Sequence, residues 1–419
     1  MEASFKVKIR LWNTNLKIRL FGESLFNMLY WMYFPFITVY FSELFGLQTA
    51  GLMMTVPPLF SLAGSLIGGY MADRLGRRTV MLIGTALQTI MFALFAASTH
   101  HVIDYAAFIG IGLGSALYKP ASSAMVADLV PQKDRRQVFA AYTTANNLGA
   151  VLGPALGAVF FFEYRQELLW CCTSIMLIYW ALIFFFVHES KPESVTHRTS
   201  SHSFLSLLRE QWTGYGIIFR DKMFLLYLLA GVFSLISIMQ LDLYLAVYIT
   251  NYVPAQSLIS MFDINIRLEH TEILGWVLGL NGLMFVLFVL PVTRWLRPVQ
   301  DRNVFILSAL LTGIGTFLLG LGTNIWYLFG CTIIFTIGEI VRSPVMHSFI
   351  SQYAPEHARG QYMGADHLQY IAGRLFAPIT VFLSAWVAPL GIFSLNFASS
   401  LISALLYYAL FRGLQSRGV

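Results

Sequence analysis

Twelve stretches of mostly apolar residues follow one another along the chain, near 18–43, 50–72, 79–98, 104–127, 138–162, 167–187, 222–250, 273–293, 303–322, 325–350, 361–387 and 391–411. A run of about 20 apolar residues is what an α-helix needs to cross the hydrocarbon core of a bilayer. The runs are continuously apolar and do not alternate over ten residues, which excludes a membrane-spanning strand barrel. Charge is too scarce for the alternative. Lys and Arg number 27 and Asp and Glu 21 in 419 residues, 11% of the chain, against about 25% in a soluble domain. That cannot cover the surface of two or three soluble domains. An ordinary soluble enzyme, a disordered chain and a nucleic-acid binder are thereby excluded. The chain reads as an all-α membrane protein with 12 transmembrane helices.

The basic residues orient it. With the N-terminus in the cytoplasm, 22 of the 27 Lys and Arg fall in inner segments and only Arg165 and Arg267 in outer ones. Inner loops carry the excess of Lys and Arg, so both termini are expected inside the cell membrane. The same rule explains a pI near 9.1 without any nucleic-acid partner. The basic N-terminus runs directly into a long apolar segment and reads as a first span, with no cleavable leader. Cys171, Cys172 and Cys331 lie inside apolar runs, with neither a disulfide framework nor metal-ligand spacing.

The longest hydrophilic stretch, 188–221, divides the runs six and six. It is expected to be a linker followed by an amphipathic surface helix with Leu205, Leu208, Trp212 and Phe219 on its apolar face. An internal repeat supports the division. At a shift of 224 positions Gly114 meets Gly338, Pro120 meets Pro344, Pro131 meets Pro355, Arg135 meets Arg359, Gln137 meets Gln361, Gly149 meets Gly373 and Pro154 meets Pro378. A repeat of six spans inserts both copies with the same orientation. The expected plan is therefore two six-helix bundles, 1–187 and 222–419, joined by the linker and related by a pseudo-two-fold axis along the membrane normal.

The strongest local motif is GYMADRLGRR at 69–78, after the second run. Gly69 suits close helix approach and Gly76 a tight turn. Asp73 places an anion at the membrane edge, and Arg74, Arg77 and Arg78 hold the loop inside. This pattern resembles motif A of the major facilitator superfamily. Gly149, Gly153, Pro154 and Gly157, standing as G-x-x-x-G-P-x-x-G in the fifth run, are similar to motif C of that superfamily's 12-helix drug:proton antiporter branch; helix packing alone also produces such a stripe. The resemblance implies a rocker-switch transporter in which Asp73 and Arg77, with Asp128 as a third member, stabilise the outward-open state. The second-half loop at Arg294–Arg302 is basic but lacks the Gly and the Asp at the motif's positions, so a latch rests on the first copy.

Charges inside apolar runs are functional candidates by default, because each is unfavourable in hydrocarbon. Glu339 and Asp242, followed by Glu23, are the expected proton-coupling groups, since a carboxyl in a partly dry cavity can load and release protons near neutral pH. The resemblance strengthens the first two, as similar drug antiporters carry acids in helices 7 and 10. Some also carry an acid early in helix 5, where this chain has Tyr142. The competing readings are structural pairs: Glu339 with Arg342, Glu23 with Lys17 and Arg19, and Asp366 at the interface beside His367. Lys119, Arg342 and Arg374 either grip an anionic head group or serve as counter-ions. Tyr30, Tyr33, Tyr142 and Tyr244, with Trp31, Phe34 and Tyr248, could line an apolar cavity. Pro35, Pro57, Pro58, Pro291 and Pro378 suit bent helices. His100 and His101 make a poor metal site, and neither a phosphate-binding Gly-Lys-Ser/Thr loop nor a catalytic nucleophile is present.

The expected function is therefore not enzymatic. It is proton-coupled export of a small lipophilic, cationic drug by alternating access, carried out by a monomer in membrane lipid without cofactor, metal or nucleic acid. A lipid or lysolipid flippase, a metabolite symporter on the same fold and a non-transporting sensor are the alternatives.

Overall fold

The computed structural model describes residues 13–190, 221–261, 264–296, 298–354 and 359–415. Residues 191–220, which hold most of the expected linker with Leu205, Leu208, Trp212 and Phe219, lie outside them. The elements in chain order are α1 (Thr14–Leu75), α2 (Arg77–Ala97), α3 (His101–Leu129), α4 (Gln132–Glu163), α5 (Arg165–Phe186), α6 (Lys222–Ile238), a 3₁₀ turn (Met239–Leu241), α7 (Tyr244–Tyr252), β1 (Gln256–Met261), β2 (Ile264–Leu268), α8 (His270–Trp295), α9 (Asp301–Leu319), α10 (Ile325–Tyr353), α11 (Arg359–Phe376), α12 (Ile379–Leu383) and α13 (Pro389–Gln415).

Nine helices among the described residues are long and apolar enough to cross a membrane, and the difference from twelve has physical causes. The first two apolar runs lie in one 62-residue helix, α1, interrupted at Gly46 (φ 78°, ψ 159°). The kink at Gly46 divides it into two arms, 14–45 and 47–75, each roughly 45 Å long at 1.5 Å per residue and so long enough to cross the hydrocarbon core singly. In α4 only Gly149–Glu163 is strongly apolar, because the helix begins QKDRRQ. In α11, Asp366, His367, Gln369 and Arg374 interrupt the apolar surface. Elsewhere large apolar side chains point outward, among them Ile178, Phe185, Trp276 and Leu405, as lipid-facing helices require.

Two runs are broken. The run at 222–250 stops at Ile238, passes through the 3₁₀ turn and resumes at Tyr244. The run at 361–387 breaks between Phe376 and Ile379, at Ala377 and Pro378. One element departs from the all-α expectation: β1 and β2 form an antiparallel hairpin, Gln256 opposite Leu268, with an irregularity between Ser257 and Ile259. The apolar alternation of Ile264, Ile266 and Leu268 is its sequence signal.

By compactness the chain divides into two units, one of Met1–Tyr33, Val56–Gly153 and Phe160–Phe204, the other of Phe34–Thr55, Pro154–Val159 and Leu205–Val419. The core of the first includes Leu16, Leu20, Val126, Val130, Val138 and Tyr142. The second is built on stacked rings of Phe224, Tyr227, Phe305, Phe349 and Tyr407. The repeated glycines sit at like contacts in each unit. A Cβ on Gly114 would lie 2.8 Å from the Gly84 carbonyl of α2, and one on Gly338 2.6 Å from the Thr312 nitrogen of α9. A Cβ on Gly149 would lie 2.7 Å from the Met28 nitrogen of α1, and one on Gly373 2.7 Å from Leu235 of α6. The repeat thus records where helices approach closely, at three of the four positions backbone to backbone, a need that small residues meet in membranes.

Candidate functional site

Asp242 sits where α6 and α7 fail to join. The backbone leaves helical geometry at Leu243 (φ −113°, ψ −97°), which turns the Asp242 side chain out of the helical ladder. Its Oδ1 is sealed from solvent and has no hydrogen-bond partner, while its main-chain oxygen accepts a long bond, 3.4 Å, from the Thr38 hydroxyl. Arg374 on α11 acts electrostatically on Asp242. The Arg374 guanidinium lies over the rings of Phe34 (5.2 Å) and Tyr370 (5.3 Å).

Glu339, in the middle of α10, is partly buried. Its Oε2 accepts a 2.6 Å hydrogen bond from Asn281 Nδ2 of α8, and Nδ2 is also 3.0 Å from the Thr336 hydroxyl. Both Asp242 and Arg342 lie within the electrostatic reach of Glu339. Arg342, however, does not bond to Glu339. It is buried and donates through Nη2 to Gln369 Oε1 at 2.9 Å. Gln369 in turn donates to Asp366 and, at 3.3 Å, to Tyr227, whose hydroxyl also bonds Asp366 at 3.1 Å. Gly231 is what admits Gln369, since a side chain there would overlap its amide. The structure thus collects Asp242, Glu339, Arg342, Asp366 and Arg374 in one unit. It adds Asn281, Gln369 and Tyr227, which sequence reading did not single out. Their signal was a polar residue inside an apolar run, shared with many Ser and Thr that only bond their own helix.

Glu23 belongs to the other unit. Its Oε1 accepts from Arg19 Nε (2.7 Å), from the Tyr118 hydroxyl (3.1 Å) and from Ser122. Tyr118 and Tyr179 share a 2.6 Å bond. Arg19 lies 4.5 Å over the ring of Tyr142, whose hydroxyl bonds the Leu16 carbonyl at 2.8 Å. Glu23 is therefore in the ion pair that was its competing reading. Several expected lining residues pack among side chains instead of facing open space. Tyr33 is buried edge-on to Phe92 and Phe108, and Tyr244 packs on Phe393. Tyr30 contacts Trp31 and Tyr33. Lys119 is exposed, unlike Arg342.

The loop joining α1 to α2 is built around Arg77, which is 5% exposed. Its Nε bonds Asp128 at 2.9 Å, its Nη1 bonds the Ala72 carbonyl at 2.8 Å, and Asp73 lies 3.2 Å away. Arg74 donates to the Tyr70 hydroxyl at 2.6 Å. Arg78 donates to the Phe184 carbonyl at 2.6 Å. Gly76 has φ +100°, which L side chains rarely adopt. Glu189 completes the turn by accepting from the main-chain nitrogens of Arg77 (2.8 Å) and Arg78 (3.1 Å), the first orphan donors of α2. A side chain at Gly76 would overlap the Glu189 carboxylate. The role expected of Gly69 moves by one residue. A Cβ there meets only Pro120, at 4.0 Å, whereas one on Gly68 would lie 2.5 Å from the Leu117 carbonyl. Gly69→Ala is accordingly expected to melt with the wild type in detergent. Gly68→Ala is expected to lose about 1–3 kcal/mol by overpacking, and equal melting of the two variants would contradict the geometry.

The family model described as Major Facilitator Superfamily matches residues 20–262 and 248–417. The chain belongs to that superfamily. It is accordingly a multi-pass membrane transporter and not an enzyme. Among superfamily relatives, a Na(+), Li(+), K(+)/H(+) antiporter of Planococcus maritimus is 36% identical over 91% of this chain and 92% of its own length. The multidrug resistance protein MdtH of Cronobacter sakazakii is 25% identical over 81% and 78%. A crystal structure of a POT family transporter in complex with 5-aminolevulinic acid superposes with a TM-score of 0.77 at 18% identity, over 94% of this chain and 95% of that one. Within this superfamily chain two glycines of the fifth run sit at close helix contacts. Besides Gly149, Gly153 presses on α1, where a Cβ would lie 2.5 Å from Trp31, and Pro154 and Gly157 are buried beside them.

Proposed function

We propose that this transporter is a proton-coupled antiporter that exports a cation, with protons and cation competing for Asp242 and Glu339. The observation that carries the reading is the placement of these two carboxyls on separate helices of one unit within each other's field, each also facing an arginine. A proton or a cation arriving at one carboxylate changes what the other can hold, which is the reciprocal coupling exchange requires. Asp242 borders a helix break and Glu339 a polar cluster, the places in a membrane helix bundle where polar groups gather.

A monovalent metal cation is the first substrate class. It is favoured by the activity in the name of the Planococcus maritimus relative and by the two carboxyls, Asp242 and Glu339, that lie in each other's field. A lipophilic organic cation is the second. It is favoured by the MdtH relatives. The chain is proposed to work as a monomer in the cell membrane with both termini inside, its sequence halves 1–187 and 222–419 rocking about the site. The uneven distribution of Lys and Arg supports that orientation.

The test is proton release from acidified inside-out vesicles of a transporter-deficient host expressing the chain. Addition of Na(+), Li(+) or K(+) is expected to collapse the proton gradient, with ethidium assayed in parallel. A gradient untouched by every one of these cations, with the protein present in the membrane, would rule the proposal out.

A further inference from the structure

Gln240 is almost fully buried, at 1% exposure, in the 3₁₀ turn two residues before Asp242. Each end of its side chain is bonded. Nε2 donates to the Ile236 carbonyl, one turn back on its own helix, at 2.7 Å, and to the Ala377 carbonyl at 3.4 Å. Oε1 accepts from the Thr380 hydroxyl at 2.7 Å, and that hydroxyl is also 2.8 Å from the Ala377 carbonyl. Ala377 and Pro378 are the break between α11 and α12. Pro378 has no N–H to give to the carbonyl one turn back, that of Arg374. Broken helices in a membrane persist where side chains take up the freed backbone groups. Here one amide serves two breaks, and Gly373 lets α11 close on Leu235 just before them.

We infer that Gln240, with Thr380 as its partner, is a positioning residue that fastens the break carrying Asp242 to the break that follows Arg374, so that the two broken helices shift together. The consequence is electrostatic. The charged groups facing Asp242 are Arg374 of α11 and Glu339 of α10, the latter itself facing Arg342. Their separations from Asp242 set how readily it exchanges a proton for a cation, because Coulomb energies in a partly dry site change steeply with distance. The tie at Gln240 holds the α11 separation. The inference rests on the proposed role of Asp242, and its test has one arm that does not.

Three variants serve: Gln240→Met, which keeps length and loses all three bonds; Thr380→Val, which keeps shape and loses the hydroxyl; and Thr380→Ser, which keeps the hydroxyl. In vesicles normalised to folded protein, the first two are expected to raise the KM for the driving cation roughly fivefold or more, the lower end of ordinary coupling between sites. They are also expected to displace the pH profile of exchange, while Thr380→Ser stays with the wild type. Unchanged KM and pH profile in Gln240→Met and Thr380→Val, beside an active wild type, would overturn the inference and leave the antiport reading standing. The second arm is amide hydrogen exchange on the purified transporter. Thr380→Val is expected to speed exchange in 239–243, on the other broken helix, and Thr380→Ser is not. No change in 239–243 overturns the inference even if the wild type moves none of the cations, and the Thr380 pair suffices if Gln240→Met fails to fold.

Discussion

Glu339→Gln is expected to abolish cation-driven proton release, by roughly 100-fold or more, the scale on which removing a positioned proton-transfer group is felt. The substitution is a narrow one. Gln keeps the length of the side chain and a carbonyl oxygen that can accept from Asn281 Nδ2, now 2.6 Å from the carboxylate. Arg342 keeps its bond to Gln369, so the buried guanidinium retains a partner and the fold has no reason to fail. What disappears is a group that alternates between charged and neutral in the field of Asp242. Proton-independent exchange of cation for cation would survive to the extent that Asp242 alone can hold the ion. Assay of both modes separates loss of coupling from loss of binding. Wild-type proton release by Glu339→Gln would remove Glu339 from the mechanism, and Asp242→Asn would then become the decisive variant.

Arg77→Ala is expected to show the largest loss of stability. Two bonds donated by a buried guanidinium go at once, one to Asp128 and one to the Ala72 carbonyl, and hydrogen bonds involving charged groups are each worth about 1.5–3 kcal/mol. Asp73 is mostly exposed and adds little. The expected total is roughly 3–6 kcal/mol, read as a lowered melting temperature in detergent, with transport reduced in proportion to the folded fraction. Arg77→Lys should fall between, because an ammonium cannot present the fork that reaches Asp128 and Ala72 together. A variant Arg77→Ala that melts with the wild type would mean that the loop is held by Glu189 alone.

The membrane class, most of the helices and the charged candidates were legible because they are written in composition and spacing. Glu339 stands out in TIGEIVRSP as an acid among apolar neighbours, whatever it touches. Its partner Asn281, in GLNGL, does not, because only the fold reveals that the amide faces a carboxylate. The break beside Asp242 is invisible for the same reason. SIMQLDLYL has no Gly or Pro, and the turn is sustained by Thr380 and Ala377, some 140 positions away. Gly69 misled because spacing cannot tell which of two adjacent glycines meets the neighbouring helix, and Gly68 does. Glu189 escaped notice because it follows the sixth apolar run, far in sequence from the turn that it caps.

That last contact has a mechanical meaning. His188 and Asn15 exchange bonds at 2.9 and 3.1 Å, and Glu189 grips the start of α2. The chain therefore departs toward the second half from a riveted post and not from a frayed helix end. A pull arriving at Ser190 is delivered to the Gly76 turn through Glu189 and to Asp128 through the Ser190 hydroxyl. Any force or charge felt at Ser190 then becomes an input to the corner where Arg77, Asp128 and Glu189 meet.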